Sequence, residues 1–142
     1  FAAQHKFCPH FHLSLQSGCT QTLKRMNRHY TADEYAKIVA DIRRIFDNPS
    51  ITTDIMVGFA GETEEEFKSS LDFSDYIGFA KVHVFSYSRR KGTPADLMPN
   101  QIDGNIKKKR VKELINLSEE LKKFSEIVTF REFTEKLVPD TK

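Results

Sequence analysis

The sequence has few cysteines, little net charge and no long apolar run, and each shortage excludes a class of protein. The two cysteines, Cys8 and Cys19, flank a predicted strand that would hold them far apart, so we expect reduced thiols and no disulfide. No run approaches the roughly 18 apolar residues of a membrane helix, and no signal peptide is visible. We therefore expect a cytoplasmic protein that does not associate with membranes. A net charge of +2 argues against non-specific nucleic-acid binding by the whole chain.

Two familiar functional motifs are incomplete. The segment 58–63, GFAGET, lacks the lysine of a phosphate-binding P-loop, which disfavours nucleoside triphosphate hydrolysis. Cys8, His10, His12 and Cys19 suggest zinc at first sight, but they lack the paired spacing of a structural zinc site. We therefore predict no metal ligands and no catalytic residues in this chain.

What the sequence does contain is the pattern of one α/β domain, or a part of one, in 142 residues. Apolar alternation predicts strands at residues 10–16, 51–58 and 81–86. Helices are predicted at 20–27, behind the capping boxes that begin at Thr31 and Thr63, and after Gly104. Strands that alternate with helices indicate parallel pairing with right-handed crossovers.

Alternation along the strands predicts two unlike faces. One face is apolar and would pack against helices. The other is polar and includes these side chains of the first two strands: His10, His12, Ser14, Gln16, Thr52 and Asp54. Burying unpaired polar groups costs about 1–3 kcal/mol each, so this face is not expected to be a dry core. It is either the wet face of an open two-layer sheet or the interior of a barrel with its site at the strand ends.

Each predicted strand ends in a polar or glycine-containing cluster. The clusters are Gln16-Ser17-Gly18, residues 58–62, and Tyr87-Ser88-Arg89-Arg90. Because parallel strands place their C-terminal ends at one edge of a sheet, we expect these clusters to share one site. Gly58 and Gly61 would let the backbone approach a ligand, although a tight capped turn is an alternative explanation.

Arg28 and two runs of basic residues each have two interpretations. Arg28 could hold a ligand carboxylate bidentately, or it could be a solvated cation at a helix end. The runs 89–91 and 107–110 could contact RNA phosphates, or they could be solvated faces.

Longer segments are more specific than any single motif. They are HFHLSLQSGCTQTLKRMNRHYTADEY, ITTDIMVGFAGETEEEF, KVHVFSYSRRKGTPADLMPNQI and IKKKR. Together they closely resemble the radical S-adenosylmethionine (SAM) methylthiotransferases that modify tRNA. The variants LSLQSG and SYSRRKGTPA are most similar to the branch that acts on threonylcarbamoyladenosine. The nearest alternatives to that branch are the isopentenyl-adenosine enzymes and the ribosomal-protein aspartate methylthiotransferases.

The resemblance implies a fold. Residues 1–142 would be the C-terminal half of a radical SAM domain: the last three strands of a six-stranded partial TIM-type barrel, and a long C-terminal helix. The cluster-binding half, the N-terminal methylthiotransferase domain and the C-terminal RNA-binding domain would be absent. Two [4Fe–4S] clusters would belong to the parent protein, with ligands outside this chain, because Cys8 and Cys19 cannot supply the three cysteines that a cluster needs.

The resemblance also implies roles for individual residues. S-adenosylmethionine would be contacted by Gln16, Ser17, Arg28, Gly58, Gly61 and Glu62, with Arg28 on its carboxylate. The substrate, a tRNA anticodon stem-loop, would meet Tyr87, Ser88, Arg89 and Arg90. Ala60 departs from a proline common in the family, which leaves that turn less restricted. The family reaction generates a 5′-deoxyadenosyl radical that abstracts hydrogen from an adenine carbon, after which sulfur and a methyl group are added.

Several expectations follow for the isolated chain. It should be catalytically inert, and an unpaired strand edge near Leu13 should cause self-association or disorder over residues 1–6. Two other functions stay open. One is a stand-alone α/β module that binds a small anion or RNA. The other is a metal-dependent hydrolase that uses His10, His12 and His83.

Overall fold

The computed structural model describes the backbone of residues 9–137 and the side chains of residues 9–127. Its elements, in chain order, are β1 (His10–His12), α1 (Thr20–Arg25), α2 (Ala32–Ile45), β2 (Ser50–Val57), α3 (Glu64–Ile77), β3 (Lys81–Ser86), a 3₁₀ turn (Pro94–Leu97) and α4 (Gly104–Leu137). The predicted order of strands and helices is confirmed. Cys8 and residues 1–6, for which we considered a zinc ligand and disorder, lie outside the described residues.

The three strands form one parallel sheet in the order β1-β2-β3. His12 is paired with Thr52, and Asp54 is paired with His83. The predicted alternation is clear on β2, where Ile51, Ile55 and Val57 are fully buried. They point to the helical side of the sheet, where α4 contacts β2 and β3 and where residues of α2 and α3 join the same hydrophobic core.

β1 is shorter than the predicted strand 10–16 because it contains a bulge. His12 is paired with Thr52 and Gln16 with Ile55, so four steps on one strand match three on the other. The hydroxyl of Thr53 fills the gap: it accepts the N–H of Leu15 at 2.9 Å and donates to the carbonyl of Leu13 at 2.6 Å. A side chain thus replaces part of the backbone ladder.

The helix boundaries follow the predicted capping signals. Both capping boxes are formed, Thr31 with Glu34 and Thr63 with Glu66. α3 ends at Gly78, which adopts a left-handed conformation. Within residues 9–137, every helix is too short or too polar to cross a bilayer.

Candidate functional site

The C-terminal ends of the three strands meet at one edge of the sheet. The carbonyl of Gln16 accepts the N–H of Met56 at 2.9 Å, and the N–H of Tyr87 donates to the carbonyl of Val57 at 2.8 Å. Gly58 follows directly. We call the edge formed by Gln16, residues 58–62 and Tyr87 the rim. The predicted convergence of the three strand ends is therefore present in the structure.

The turn between β2 and α3 is held by a buried ion pair. Glu62 is 2% exposed and Arg110 of α4 is 4% exposed. Glu62 Oε1 accepts the N–H of Gly58 at 2.9 Å and Nη1 of Arg110 at 2.8 Å. Burial raises the pKa of the Glu62 carboxyl, against the opposing effects of these two donors. Because its carboxylate is already hydrogen-bonded within the chain, Glu62 would affect ligand binding by fixing the shape of the turn rather than through direct contact.

A second arginine, which the sequence analysis did not single out, contacts the same turn from the other side. Nε of Arg25 donates to the carbonyl of Ala60 at 3.1 Å, and its guanidinium is bidentate to the carboxylate of Glu66. These hydrogen bonds lower the pKa of Glu66 and raise that of Arg25. The available signal was a basic last turn in α1 and an acidic first turn in α3.

Lys107 of α4 also reaches the rim. Its Nζ donates to the carbonyl of Tyr87 at 2.9 Å and lies 5.2 Å from the centre of the Tyr87 ring. A Cβ atom at position 58 would lie 2.5 Å from Cγ of Lys107, and Gly58 has φ +73°. Glycine is therefore required at 58 for two reasons, close approach and backbone conformation.

Tyr87 is the buried member of the predicted substrate-binding cluster. Its ring packs edge-on against Phe59 with centroids 5.1 Å apart. Its hydroxyl is buried and has no hydrogen-bond partner among the described residues. Ser88, Arg89 and Arg90 are exposed, and Arg89 is held by Asp96 through Nε at 2.8 Å.

The remaining predicted cofactor residues, Ser17 and Arg28, differ in exposure. Ser17 is fully buried, and its hydroxyl hydrogen-bonds that of Ser70 at 3.1 Å, so it faces α3. Arg28 is exposed and has no side-chain hydrogen bond or ion pair within residues 9–127. The loop that carries it is tied to the strand end by Tyr30, whose hydroxyl donates to the carbonyl of Leu15 at 2.9 Å.

The polar face of the sheet carries a continuous hydrogen-bond network that leads to the rim. Its links are His10 Nε2 to Thr52 Oγ1 (3.1 Å), Thr52 Oγ1 to His12 Nδ1 (2.8 Å), His12 Nε2 to Asp54 Oδ2 (3.0 Å), Asp54 Oδ2 to Ser14 Oγ (3.4 Å) and Ser14 Oγ to Gln16 Nε2 (2.6 Å). The amide of Gln16 is therefore kept over the polar face, although Gln16 follows the bulge and has φ +70°.

The chain is similar to named proteins of known family. It is 45% identical over 120 residues to the tRNA-2-methylthio-N(6)-dimethylallyladenosine synthase of Pelotomaculum thermopropionicum. This alignment covers 84% of the present chain and 27% of the relative. The proteins of the same name from Caldicellulosiruptor saccharolyticus and Natranaerobius thermophilus are each 46% identical, over 116 and 117 residues. These alignments cover 82% of this chain and 25% and 26% of those proteins.

The chain therefore spans about a quarter of the length of the curated relatives it matches. Residues 2–74, slightly more than half of the 142, match the radical SAM superfamily. The parallel α/β order and the meeting of the strand ends at the rim agree with this match. The chain belongs to the radical SAM superfamily.

Proposed function

We propose that this chain is part of a tRNA methylthiotransferase, an enzyme that adds a methylthio group to a modified adenosine next to the anticodon. The observation that carries the proposal is the rim, where Gln16, Gly58 and Tyr87 are brought together from three strands. Membership of the radical SAM superfamily and the names of the relatives support the same reaction class.

The modified adenosine is one of two candidates. The LSLQSG and SYSRRKGTPA variants favour threonylcarbamoyladenosine through the family resemblance. The relatives are named for dimethylallyladenosine, and this favours the second candidate. A full-length enzyme given the two anticodon stem-loops separately would methylthiolate one of them. Product from neither, with an intact cluster and cofactor, would contradict the proposed reaction.

S-adenosylmethionine is the cofactor of the proposed reaction, in which it supplies the adenosyl group that starts the chemistry. Two groups have hydrogen-bonding capacity to spare: the buried hydroxyl of Tyr87 at the rim, and the exposed guanidinium of Arg28, whose loop is tied to Leu15 by Tyr30. We propose that Gln16 and Arg28 hold the cofactor's polar groups, and that Gly58, Gly61 and Glu62 shape the edge beside it. Ser17 would contribute through packing, because its hydroxyl is already bonded to Ser70.

The residues of this chain do not fit an iron–sulfur cluster. The chain contains two cysteines, fewer than the three ligands that each cluster of the family requires. Cys19, the one within residues 9–137, is a free thiol at the start of α1. We therefore assign the cluster to other parts of the parent enzyme and expect the 142-residue chain alone to be inactive.

The cofactor assignment is tested by Arg28→Ala in the full-length enzyme. We expect S-adenosylmethionine binding to weaken by about 1.5–3 kcal/mol, the usual contribution of a hydrogen bond to a charged group. The dissociation constant would be measured by calorimetry.

Arg44→Ala is the matched control, because Arg44 is also an exposed arginine but lies on α2 and pairs with Asp41 at 3.0 Å. Its dissociation constant should equal that of the unmodified enzyme. Equal affinities for both variants would remove Arg28 from the cofactor site.

A further inference from the structure

Three side chains on the polar face form a cluster to which the proposed function assigns no ligand. His12, Asp54 and His83 each place one ligand atom within 4.8 Å of the other two. They come from β1, β2 and β3, which are adjacent and hydrogen-bonded. Register explains the convergence, because Asp54 is paired directly with His83, and His12 with Thr52, two residues before Asp54.

We propose that His12, Asp54 and His83 form a binding site for a divalent transition metal such as Zn²⁺. Two imidazoles and one carboxylate are ligands suited to zinc, iron, cobalt or nickel, whereas Mg²⁺ and Ca²⁺ prefer sites built from oxygen. Three protein ligands leave at least one coordination position for water or a bound molecule.

The distances are close to those that coordination requires. Ligand atoms about 2.0–2.2 Å from a shared metal lie about 3.0–3.5 Å from one another. His12 Nε2 and Asp54 Oδ2 are already 3.0 Å apart. The rings of His12 and His83 are 5.7 Å apart and tilted by 60°, so a small rotation of His83 brings its nitrogen into range.

The hydroxyl of Thr52 orients the first ligand. It lies 2.8 Å from His12 Nδ1 and 3.1 Å from His10 Nε2. Without a metal, His12 Nε2 can donate its proton to Asp54 Oδ2, 3.0 Å away. When a metal replaces that proton, His12 donates through Nδ1 to the threonine hydroxyl, which donates to His10, and the lone pair of His12 Nε2 is free for the metal. Such a partner on the second nitrogen is the usual arrangement for histidines that bind metals. Because the threonine hydroxyl occupies Nε2 of His10, His10 is not one of the proposed ligands.

Access and charge allow a cation to bind. The side chains of His12 and Asp54 are 44% and 26% exposed. With neutral imidazoles the three ligands carry one negative charge. Lys81, a cation on this face, is paired in register with Thr52, and its exposed side chain can turn towards solvent.

Calorimetry with Zn²⁺ on the iron-free 142-residue chain tests the proposal. We expect one ion per chain, and at least about tenfold weaker binding in Asp54→Asn and in His83→Gln. Both new side chains are close in shape to the ones they replace, and both positions are on the polar face. Circular dichroism would verify that each variant folds like the unmodified chain. His29→Gln, at an exposed histidine outside the cluster, should bind Zn²⁺ like the unmodified chain.

Imidazole nuclear magnetic resonance provides a second readout. Zn²⁺ should shift the ring signals of His12 and His83 and leave those of His29 unchanged. Absence of saturable binding, or binding that both variants retain, would overturn the proposal. The site stands apart from the proposed function, because metal uptake is measured without S-adenosylmethionine, tRNA or turnover.

Discussion

Arg25 and Arg110 fix the turn between β2 and α3 from opposite sides, and they differ in how they do it. Arg110 is buried against Glu62, where desolvation offsets much of the attraction. Arg25 is partly exposed and is bidentate to Glu66, the residue that also closes the capping box of α3. Both arginines favour the ionised carboxylate, but the net pKa shifts differ in direction: burial raises the pKa of Glu62 despite Arg110, and the hydrogen bond from Arg25 lowers that of Glu66.

The Arg25–Glu66 pair should make stability depend on acidity. A carboxyl group whose pKa is lowered by folding stabilises the protein above its unfolded pKa, and this contribution is lost as the pH falls through the folded pKa. From about pH 5 to about pH 3, the free energy of unfolding should therefore fall more steeply in the unmodified chain than in Glu66→Gln. Urea titrations at a series of pH values would measure both slopes.

Glu65→Gln is the control for this prediction. Glu65 lies in the same first turn of α3 and is exposed. Its variant should keep the slope of the unmodified chain. Parallel curves for the unmodified chain and Glu66→Gln would show that Arg25 does not stabilise the ionised carboxylate.

At the level of residues, sequence patterns placed Gln16, Gly58 and Tyr87 at one edge because alternation and chain order are enough to locate strand ends. They did not identify Arg25 or Lys107 as neighbours of that edge. Arg25 is in a short helix and Lys107 is in a run of four basic residues, so neither differs locally from a solvated cation. Their contacts depend on how α1 and α4 pack, which is a tertiary property.

At the level of elements, β1 shows how a side-chain hydroxyl can replace backbone hydrogen bonds between two strands. At the bulge, the single hydroxyl of Thr53 bonds both the carbonyl of Leu13 and the N–H of Leu15. Gln16 then resumes pairing in a left-handed conformation, which costs a residue with a side chain about 1–2 kcal/mol. Alternation alone predicts an unbroken strand, because a bulge adds one residue without any change in residue type.

Thr53→Val tests this role. Valine has almost the same shape but lacks the hydroxyl, so the buried N–H of Leu15 loses its acceptor. The carbonyl of Leu13 loses one of its two donors and keeps the Tyr35 hydroxyl at 2.7 Å. We expect the free energy of unfolding to fall by about 1–3 kcal/mol, measured by urea titration. Thr53→Ser keeps the hydroxyl and should be less destabilised than Thr53→Val. If both variants lost the same free energy of unfolding, the effect would come from packing and not from the hydroxyl.

The helices were more predictable than β1. Capping boxes at Thr31 and Thr63 and the glycine at 78 are local signals, and they set three helix boundaries within one or two residues. Ile38, which the helical period places on the buried side of α2, is nevertheless 52% exposed. Periodicity predicts which side of a helix is apolar, but what covers that side depends on the rest of the molecule.

At the scale of the whole molecule, the apolar surface around Ile38 lies beside the outer edge of the sheet. A cavity of about 240 Å³ is lined by Leu13, Ser14, Tyr30, Tyr35 and Ile38. Within the described residues, β1 pairs with β2 on one side only. An open strand edge next to an apolar cavity favours association with another strand.

We expect the 142-residue chain to self-associate through this edge. Sedimentation equilibrium from micromolar to millimolar concentration should show a concentration-dependent dimer. Ile38→Glu should weaken the dimer by placing a charge at the cavity. Ile45→Glu should not, because Ile45 is 62% exposed on the same helix and does not line the cavity. A monomer throughout that range, or equal effects of both substitutions, would exclude association at this surface.

The contact between Gly58 and Lys107 has a consequence for how sequences of this kind can diverge. The side chain of Lys107 occupies the space where any larger residue at 58 would place its first carbon. A larger residue at 58 would have to displace Lys107 and also adopt a left-handed backbone conformation, whereas a smaller residue at 107 would meet no such barrier. Transplanting residues 58–62 into another protein would transfer the sequence of the turn without Lys107, the side chain that packs against it.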